Sequence, residues 1–128
     1  KFTKSIFEGD QLTLYGDGGE RDFTYVNDVV SGLQKSVHVD GFNIINLGSD
    51  RPVRITKIIE LIEKYVGRSA SIKIIERDPS DISSTWADIT VARRLLDWEP
   101  STTIEDGLLN TVEWYRENRE WLSRVEIG

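Results

Sequence analysis

Apolar positions along the chain change their period several times, and each change marks an element. Phe2, Ile6 and Phe7 fall at helical spacing and run out at Gly9, which predicts the last turns of a helix. Leu12-Thr-Leu-Tyr15 alternates with period two and predicts a strand. Gly16-Asp-Gly-Gly19 then supplies positive-φ turn positions, and Phe23-Thr-Tyr-Val26 reads as a second short strand. Asn27 or Asp28 is placed to cap a helix carrying Val29, Val30, Leu33 and Val37 on one side. Phe42 to Leu47 predicts a strand that stops at Gly48. Ile55, Ile58, Ile59, Ile62 and Val66 keep to one helical face, closed by Gly67.

Ser71 to Ile75 is strand-like and is followed by a polar segment from Glu76 to Thr85. Asp88 has the character of an N-cap for a helix with Ala92, Leu95 and Leu96 inward, stopped before Pro100. Thr102 with Glu105 forms a capping box for a last helix whose buried stripe is Ile104, Leu108, Val112 and Tyr115. The composite is α/β with an α+β-like arrangement: three or four short strands and about four helices, without internal repeats or long linkers.

Composition narrows what such a domain can do. The 128 residues suffice for one domain with a hydrophobic core. A net charge of −6 argues against a nucleic-acid backbone as partner. The absence of cysteine removes disulfides and thiolate chemistry, and the single histidine, His38, gives metal or Ser–His chemistry almost no support. No run approaches the roughly 18 apolar residues of a membrane span. The chain opens on Lys1 and contains no methionine, which leads us to expect a piece of a longer protein.

Two polar segments carry the candidate chemistry. In Gly16 to Asp28, Arg21 follows the glycine turn, where backbone can approach a ligand and a guanidinium can grip phosphate. The alternative is a surface ion pair between Arg21 and Asp22. The glycine run itself reads as a turn between strands, because a phosphate loop should lead into a helix. In Glu76 to Asp88, Arg77 and Asp81 lie in an irregular stretch between strand and helix, where α/β proteins hold ligands and a carboxylate can accept vicinal sugar hydroxyls. Its alternative is a solvated loop capped by Asp88. Of four tryptophans, Trp98 is expected to plug the connection between two helices, while Trp114 and Trp121 share a stripe on the last helix. A nucleotide-binding G-x-G-x-x-G, a Walker loop, H-E-x-x-H, G-x-S-x-G and Tyr-x-x-x-Lys are all missing, so no catalytic or metal residue is assigned.

Three segments in order, GDGGERDFTYVNDVVSG, FNIINLGSDRPVRITKIIELIEKYVG and SDISSTWADITVARRLLDWEPSTTIEDGLLNTVEWY, resemble the C-terminal part of extended short-chain dehydrogenase/reductases. The likeness is to NAD-dependent nucleotide-sugar epimerases of the UDP-glucose or UDP-glucuronate 4-epimerase type, and it runs from about Phe2 to Tyr115. The resemblance implies a Rossmann-type enzyme whose N-terminal lobe, holding NAD and a Tyr-x-x-x-Lys base, lies outside these residues. Residues 1–128 would then be one nucleotide-sugar-binding domain, binding no NAD and inactive alone. The resemblance further implies that Arg21 grips the diphosphate of a UDP-sugar, Asp81 bonds the ribose, Arg77 also meets phosphate, and Tyr15 lies near the base. Ser80 replaces the family's glycine before Asp81, and Arg77 stands four positions before Asp81 where galactose-type enzymes have three. A cytoplasmic homodimer is the expected parent, and an apolar face is expected where the other lobe belongs. A dehydratase or reductase lobe, or a non-catalytic relative kept for interaction, shares the same features.

Overall fold

A computed structural model describes residues 1–78 and 80–126. Helix α1 (Phe2–Glu8) ends on Gly9 in the left-handed region and leads into β1 (Gln11–Tyr15). A glycine turn follows, then β2 (Glu20–Arg21), α2 (Val26–Ser36), β3 (Val53–Arg54) and α3 (Ile55–Val66). The chain continues through β4 (Ser71–Ile75), α4 (Thr90–Leu96) and α5 (Ile104–Leu122). Five helices are thus described where about four were expected.

Strands β1 and β4 pair in parallel, from Gln11 opposite Ser71 to Tyr15 opposite Ile75, and β2 pairs antiparallel with β3. Leu12 and Leu14 are buried on one face of β1, as their alternation requires. They join Ile6, Ile55, Ile58, Ile59, Ile62 and Val112 in the main core, with α1, α3 and α5 packed together. A second apolar centre gathers Ile89, Ala92, Leu96 and Trp98, with Val39, Ile45 and Leu47 against it. Helix α3 keeps the expected bounds because its stripe of isoleucines faces this core and Gly67 (φ 79°) caps it.

Several expectations are corrected. The strand expected at Phe23–Val26 lies earlier, at Glu20–Arg21, because that is where β3 supplies its partner, and Val26 already opens α2. Phe42–Leu47 is not a strand. Among the described residues nothing pairs with it, and only Ile45 and Leu47 find cover. Asp28 does not cap α2; Tyr25 takes the N-cap position, and Asp28 lies inside the first turn with its carboxylate turned to Ser101 and Thr102. The stripe assigned to α2 is largely exposed at Val30, Leu33 and Val37, while the helix buries Asp28 and Gly32. Helix α4 starts at Thr90 with Ile89 as N-cap; Asp88 accepts the Thr90 N–H at 2.9 Å, and Leu95 stays partly exposed. The cap of α5 is Thr103 with Asp106 rather than Thr102 with Glu105, since the Thr103 hydroxyl accepts the Asp106 N–H at 3.1 Å.

Candidate functional site

The parallel pairing of β1 with β4 puts both chain exits at one end of the pair, the end at which ligands settle in α/β sheets. Tyr15 closes β1 there with its side chain about half exposed. The Gly16 N–H holds the exit of β4 by donating to the Ile75 carbonyl at 2.9 Å. Residues following β4 fold back beside Tyr15 and form an open cleft of about 790 Å³, lined by Tyr15, Glu76, Arg77, Asp78 and Asp81. Three of the four residues singled out from the sequence therefore share one cleft. Within it, Asp78 is engaged locally: its Oδ1 accepts the Ser80 hydroxyl at 2.6 Å and the Ser80 N–H at 2.8 Å, which hold its carboxyl below the usual range. Asp81 is exposed.

The fourth residue, Arg21, lies next to the cleft. Its Nη1 donates to the Glu20 carbonyl at 2.7 Å and approaches the Ser83 carbonyl at 3.4 Å. Arg77 donates from Nη2 to the Ile82 carbonyl at 2.6 Å, so both guanidiniums hold the 82–83 backbone. They meet over Gly19. A Cβ there would lie 2.3 Å from the Ser83 oxygen, 3.1 Å from Arg77 Nη2 and 3.2 Å from Arg21 Nη1. With φ at 66°, Gly19 also occupies a backbone region that other residues resist. Only a residue without a side chain lets the two arginines and the 82–84 segment close on β2.

The ion pair considered between Arg21 and Asp22 gives way to another arrangement. Asp22 accepts the Ser49 N–H (2.7 Å) and hydroxyl, the Asp50 N–H (3.2 Å) and the Ala87 N–H (3.0 Å). Burial pushes this carboxyl up, but the bonds from Ser49, Ala87 and Asp50 outweigh it and leave the group below its ordinary value. Asp22 thereby ties the end of β2 to two distant segments, one at Ser49–Asp50 and one at Ala87. Sequence reading placed Gly19 in a turn and Asp22 beside Arg21 but gave neither its role here, because both roles depend on partners distant in the chain.

A second cavity, of about 340 Å³, opens between Phe23–Tyr25, Arg51 and the first turns of α5. Trp98 plugs the α4–α5 connection, as expected. Trp114 and Trp121 are half exposed and meet edge to face at 6.1 Å. Among the described residues, no group of three or more His, Asp or Glu side chains is placed to hold a metal ion, and no helix is long and apolar enough to cross a membrane.

Comparison with known proteins adds to this geometry. The family model described as GDP-mannose 4,6 dehydratase matches residues 1–111. A UDP-glucuronate 4-epimerase of Thermodesulfobacterium geofontis is 40% identical over 99% of this chain and 40% of its own length. The UDP-glucuronic acid 4-epimerase of Bacillus cereus, solved with UDP-glucuronic acid and NAD, superposes with a TM-score of 0.80 at 32% identity, over 91% of this chain and 38% of that one. The UDP-glucose 4-epimerase of Thermotoga maritima, solved with UDP-glucose, gives 0.84 at 28% identity over 92% and 38%. The chain thus spans about 40% of the length of the relatives it matches.

Proposed function

The chain belongs to the family described as GDP-mannose 4,6 dehydratase, and from that premise we propose that it is the nucleotide-sugar-binding lobe of an NAD-dependent sugar-nucleotide 4-epimerase. One observation carries the reading: Arg21 and Arg77 converge over Gly19 beside the cleft that holds Tyr15 and Asp81. Two guanidiniums are matched in charge and fork geometry to a diphosphate. The Asp81 carboxylate is an acceptor for vicinal ribose hydroxyls, and the Tyr15 ring offers a flat face to a base. Such a grip fixes the nucleotide and leaves the hexose free to turn, which an epimerisation at a sugar carbon requires. UDP-sugars are the favoured class because the relatives named above act on them.

NAD, when bound, supplies a reversible hydride acceptor for the sugar. The glycine turn of this chain does not fit a dinucleotide. It leads into β2 rather than a helix, and a Cβ on Gly18 would lie 2.7 Å from Leu14 Cδ1 and 2.8 Å from Ile55 Cβ, so its backbone packs against the core. The part of these residues is binding and orientation, and the chain alone is expected to bind without turnover. A dehydratase lobe is the second reading, favoured by the family's own description and sharing the same nucleotide end.

Titration calorimetry of the chain with UDP-glucose, UDP-glucuronate, dTDP-glucose and GDP-mannose tests the proposal. Preferential binding of the UDP-sugars, weakened tenfold or more by Arg21→Met at about 1.4 kcal/mol per decade, is expected. Binding of none of the four by the wild type overturns it, and preference for dTDP-glucose or GDP-mannose moves the assignment to the dehydratase reading.

A further inference from the structure

Asp17 stands at the tip of the turn between β1 and β2, with its side chain in solvent, yet it is held in place. Its Oδ1 accepts the Gly19 N–H at 3.1 Å and lies 3.7 Å from Nη1 of Arg77. Arg77 in turn is braced from the other side by the Ile82 carbonyl and is only 24% exposed. The cleft beside it carries the carboxylates of Glu76, Asp78 and Asp81. Of the other nearby acids, Glu20 is paired with Arg54 at 3.5 Å, and the Asp22 carboxylate accepts the N–H groups of Ser49, Asp50 and Ala87. Two cations, Arg21 and Arg77, are therefore fenced by carboxylates, and among the described residues Asp17 is the one that pairs with either of these two guanidiniums.

Resting on the nucleotide-sugar reading above, we propose that Asp17 sets the charge selectivity of the site, so that a pyrophosphate diester is bound in preference to free nucleoside di- and triphosphates. In the diester each phosphate bears one negative charge, and the two arginines neutralise both. A terminal phosphate gains a second charge above a pKa of about 6. UDP then brings roughly one more charge than a UDP-sugar, and UTP roughly two more. Those charges meet Asp17 across a few ångströms of partly screened space, where each repulsion is worth about a threefold change in affinity. A site of this kind is spared occupation by the free nucleotides that accompany its substrate.

The test compares UDP-glucose, UDP and UTP by calorimetry at pH 8 and low salt, on the wild-type chain and on Asp17→Asn. The amide keeps an Oδ1 acceptor for the Gly19 N–H, so the turn is retained and only the charge is removed. In the wild type, affinity should fall from UDP-glucose to UDP to UTP. In Asp17→Asn the UDP and UTP affinities should rise relative to UDP-glucose by about threefold per extra charge, while Asp17→Glu, which keeps the charge, should retain the wild-type order. Comparing ratios between variants cancels whatever the glucose ring itself contributes. An equal gain for all three ligands, or no change in their ratios, overturns the proposal and leaves nucleotide binding intact. A wild-type chain that binds none of the three instead overturns the nucleotide reading, and charge selection falls with it.

Discussion

Trp98 donates its indole N–H to the main-chain carbonyl of Asp28 at 3.0 Å, in one of the most enclosed places of the molecule. The same N–H lies 2.8 Å from the Ser31 hydroxyl. The Asp28 carboxylate completes the tie by accepting the Ser101 N–H (3.2 Å) and hydroxyl (3.0 Å) and the Thr102 N–H (3.0 Å). The first turn of α2 is thus bolted to the connection that launches α5. Removing the carboxylate leaves two partly buried main-chain donors without it, so Asp28→Ala should lose about 2–4 kcal/mol of unfolding free energy. Trp98→Phe removes one donor and some packing and should cost about 1–3 kcal/mol. Urea melts monitored by circular dichroism measure both, and a loss under 0.5 kcal/mol for Asp28→Ala would contradict the tie.

Acid sensitivity follows from the same carboxylate. Burial pushes the Asp28 carboxyl up, but the bonds from Ser101 and Thr102 outweigh burial and leave it below its ordinary value of about 3.8. A depressed native pKa contributes stability that is complete above the unfolded value and is lost as pH falls through the native one. Stability should therefore hold from pH 7 to about 5 and drop below about 4. Asp28→Asn should be less stable at neutral pH and show a shallower acid loss. Melting temperatures between pH 2.5 and 7 decide the point, and parallel curves for the two proteins would refute it.

Gly19 joins fold and site. Gly19→Ala sets a methyl 2.3 Å from the Ser83 oxygen at a φ of 66°, so the 82–84 segment has to retreat and Arg21 and Arg77 have to part. The expected result is a stability loss on the order of 1–3 kcal/mol, together with weakened UDP-sugar binding. Gly41 provides the control: it also has a positive φ (76°), but nothing lies within 4 Å of its Cβ position. Gly41→Ala should cost stability without touching affinity. Equal binding by Gly19→Ala and wild type would exclude the proposed convergence.

Tyr115 is pushed up to about 12, first by burial and then by the hydrogen bond its hydroxyl donates to Glu8 at 3.0 Å. Arg119 completes the cluster by donating to both Glu8 oxygens at 3.0 Å, joining α5 to α1. A raised native pKa means stability present below about pH 10 and lost as pH climbs toward the native value. Absorbance of tyrosinate should show a late ionisation step, and Tyr115→Phe should abolish it. Its persistence in the variant would assign the step elsewhere.

One apolar face stands open. Val26, Val30, Leu33 and Val37 form a stripe along α2, and Phe42 (91% exposed) and Ile44 (76%) project from the extended segment that follows it. Exposed apolar side chains in this number bind hydrophobic dyes and drive association. The chain should bind such a dye in its native state, and the double variant Leu33→Gln with Phe42→Ser should reduce that signal. Its stability should stay within about 0.5 kcal/mol of wild type. A wild-type chain with no native-state dye binding would contradict the exposure.

The site was partly legible before any fold was known. Arg21, Arg77 and Asp81 stand in two polar segments that interrupt clear periodicities, where an arginine after a glycine turn pointed to phosphate and a loop carboxylate to sugar hydroxyls; Tyr15, at the end of a strand, was singled out through the family resemblance alone. Gly19 was visible as a turn glycine, yet its task depends on Ser83, 64 positions away, so no local pattern announces it. Asp22 is likewise defined by partners at Ser49, Asp50 and Ala87. The capping roles near residues 28, 88 and 103 shifted by a residue or more because hydrogen-bond geometry, which composition does not carry, chooses among adjacent candidates.

The sequence by itself determined α1, β1, α3 and β4, where apolar spacing and a terminal glycine act within a few residues. It also determined the presence of an arginine, a turn and a carboxylate-rich loop. Tertiary structure alone decided that β1 and β4 run parallel with their ends together, which brings Tyr15 beside Arg77 and Asp81. It decided equally that Val26, Val30 and Val37 turn outward and that, among the described residues, nothing pairs with Phe42–Leu47. The physical reason is range. Helical and strand periodicities are enforced by neighbours along the chain, whereas strand partnership and the choice of buried face depend on surfaces that meet only after the chain has folded.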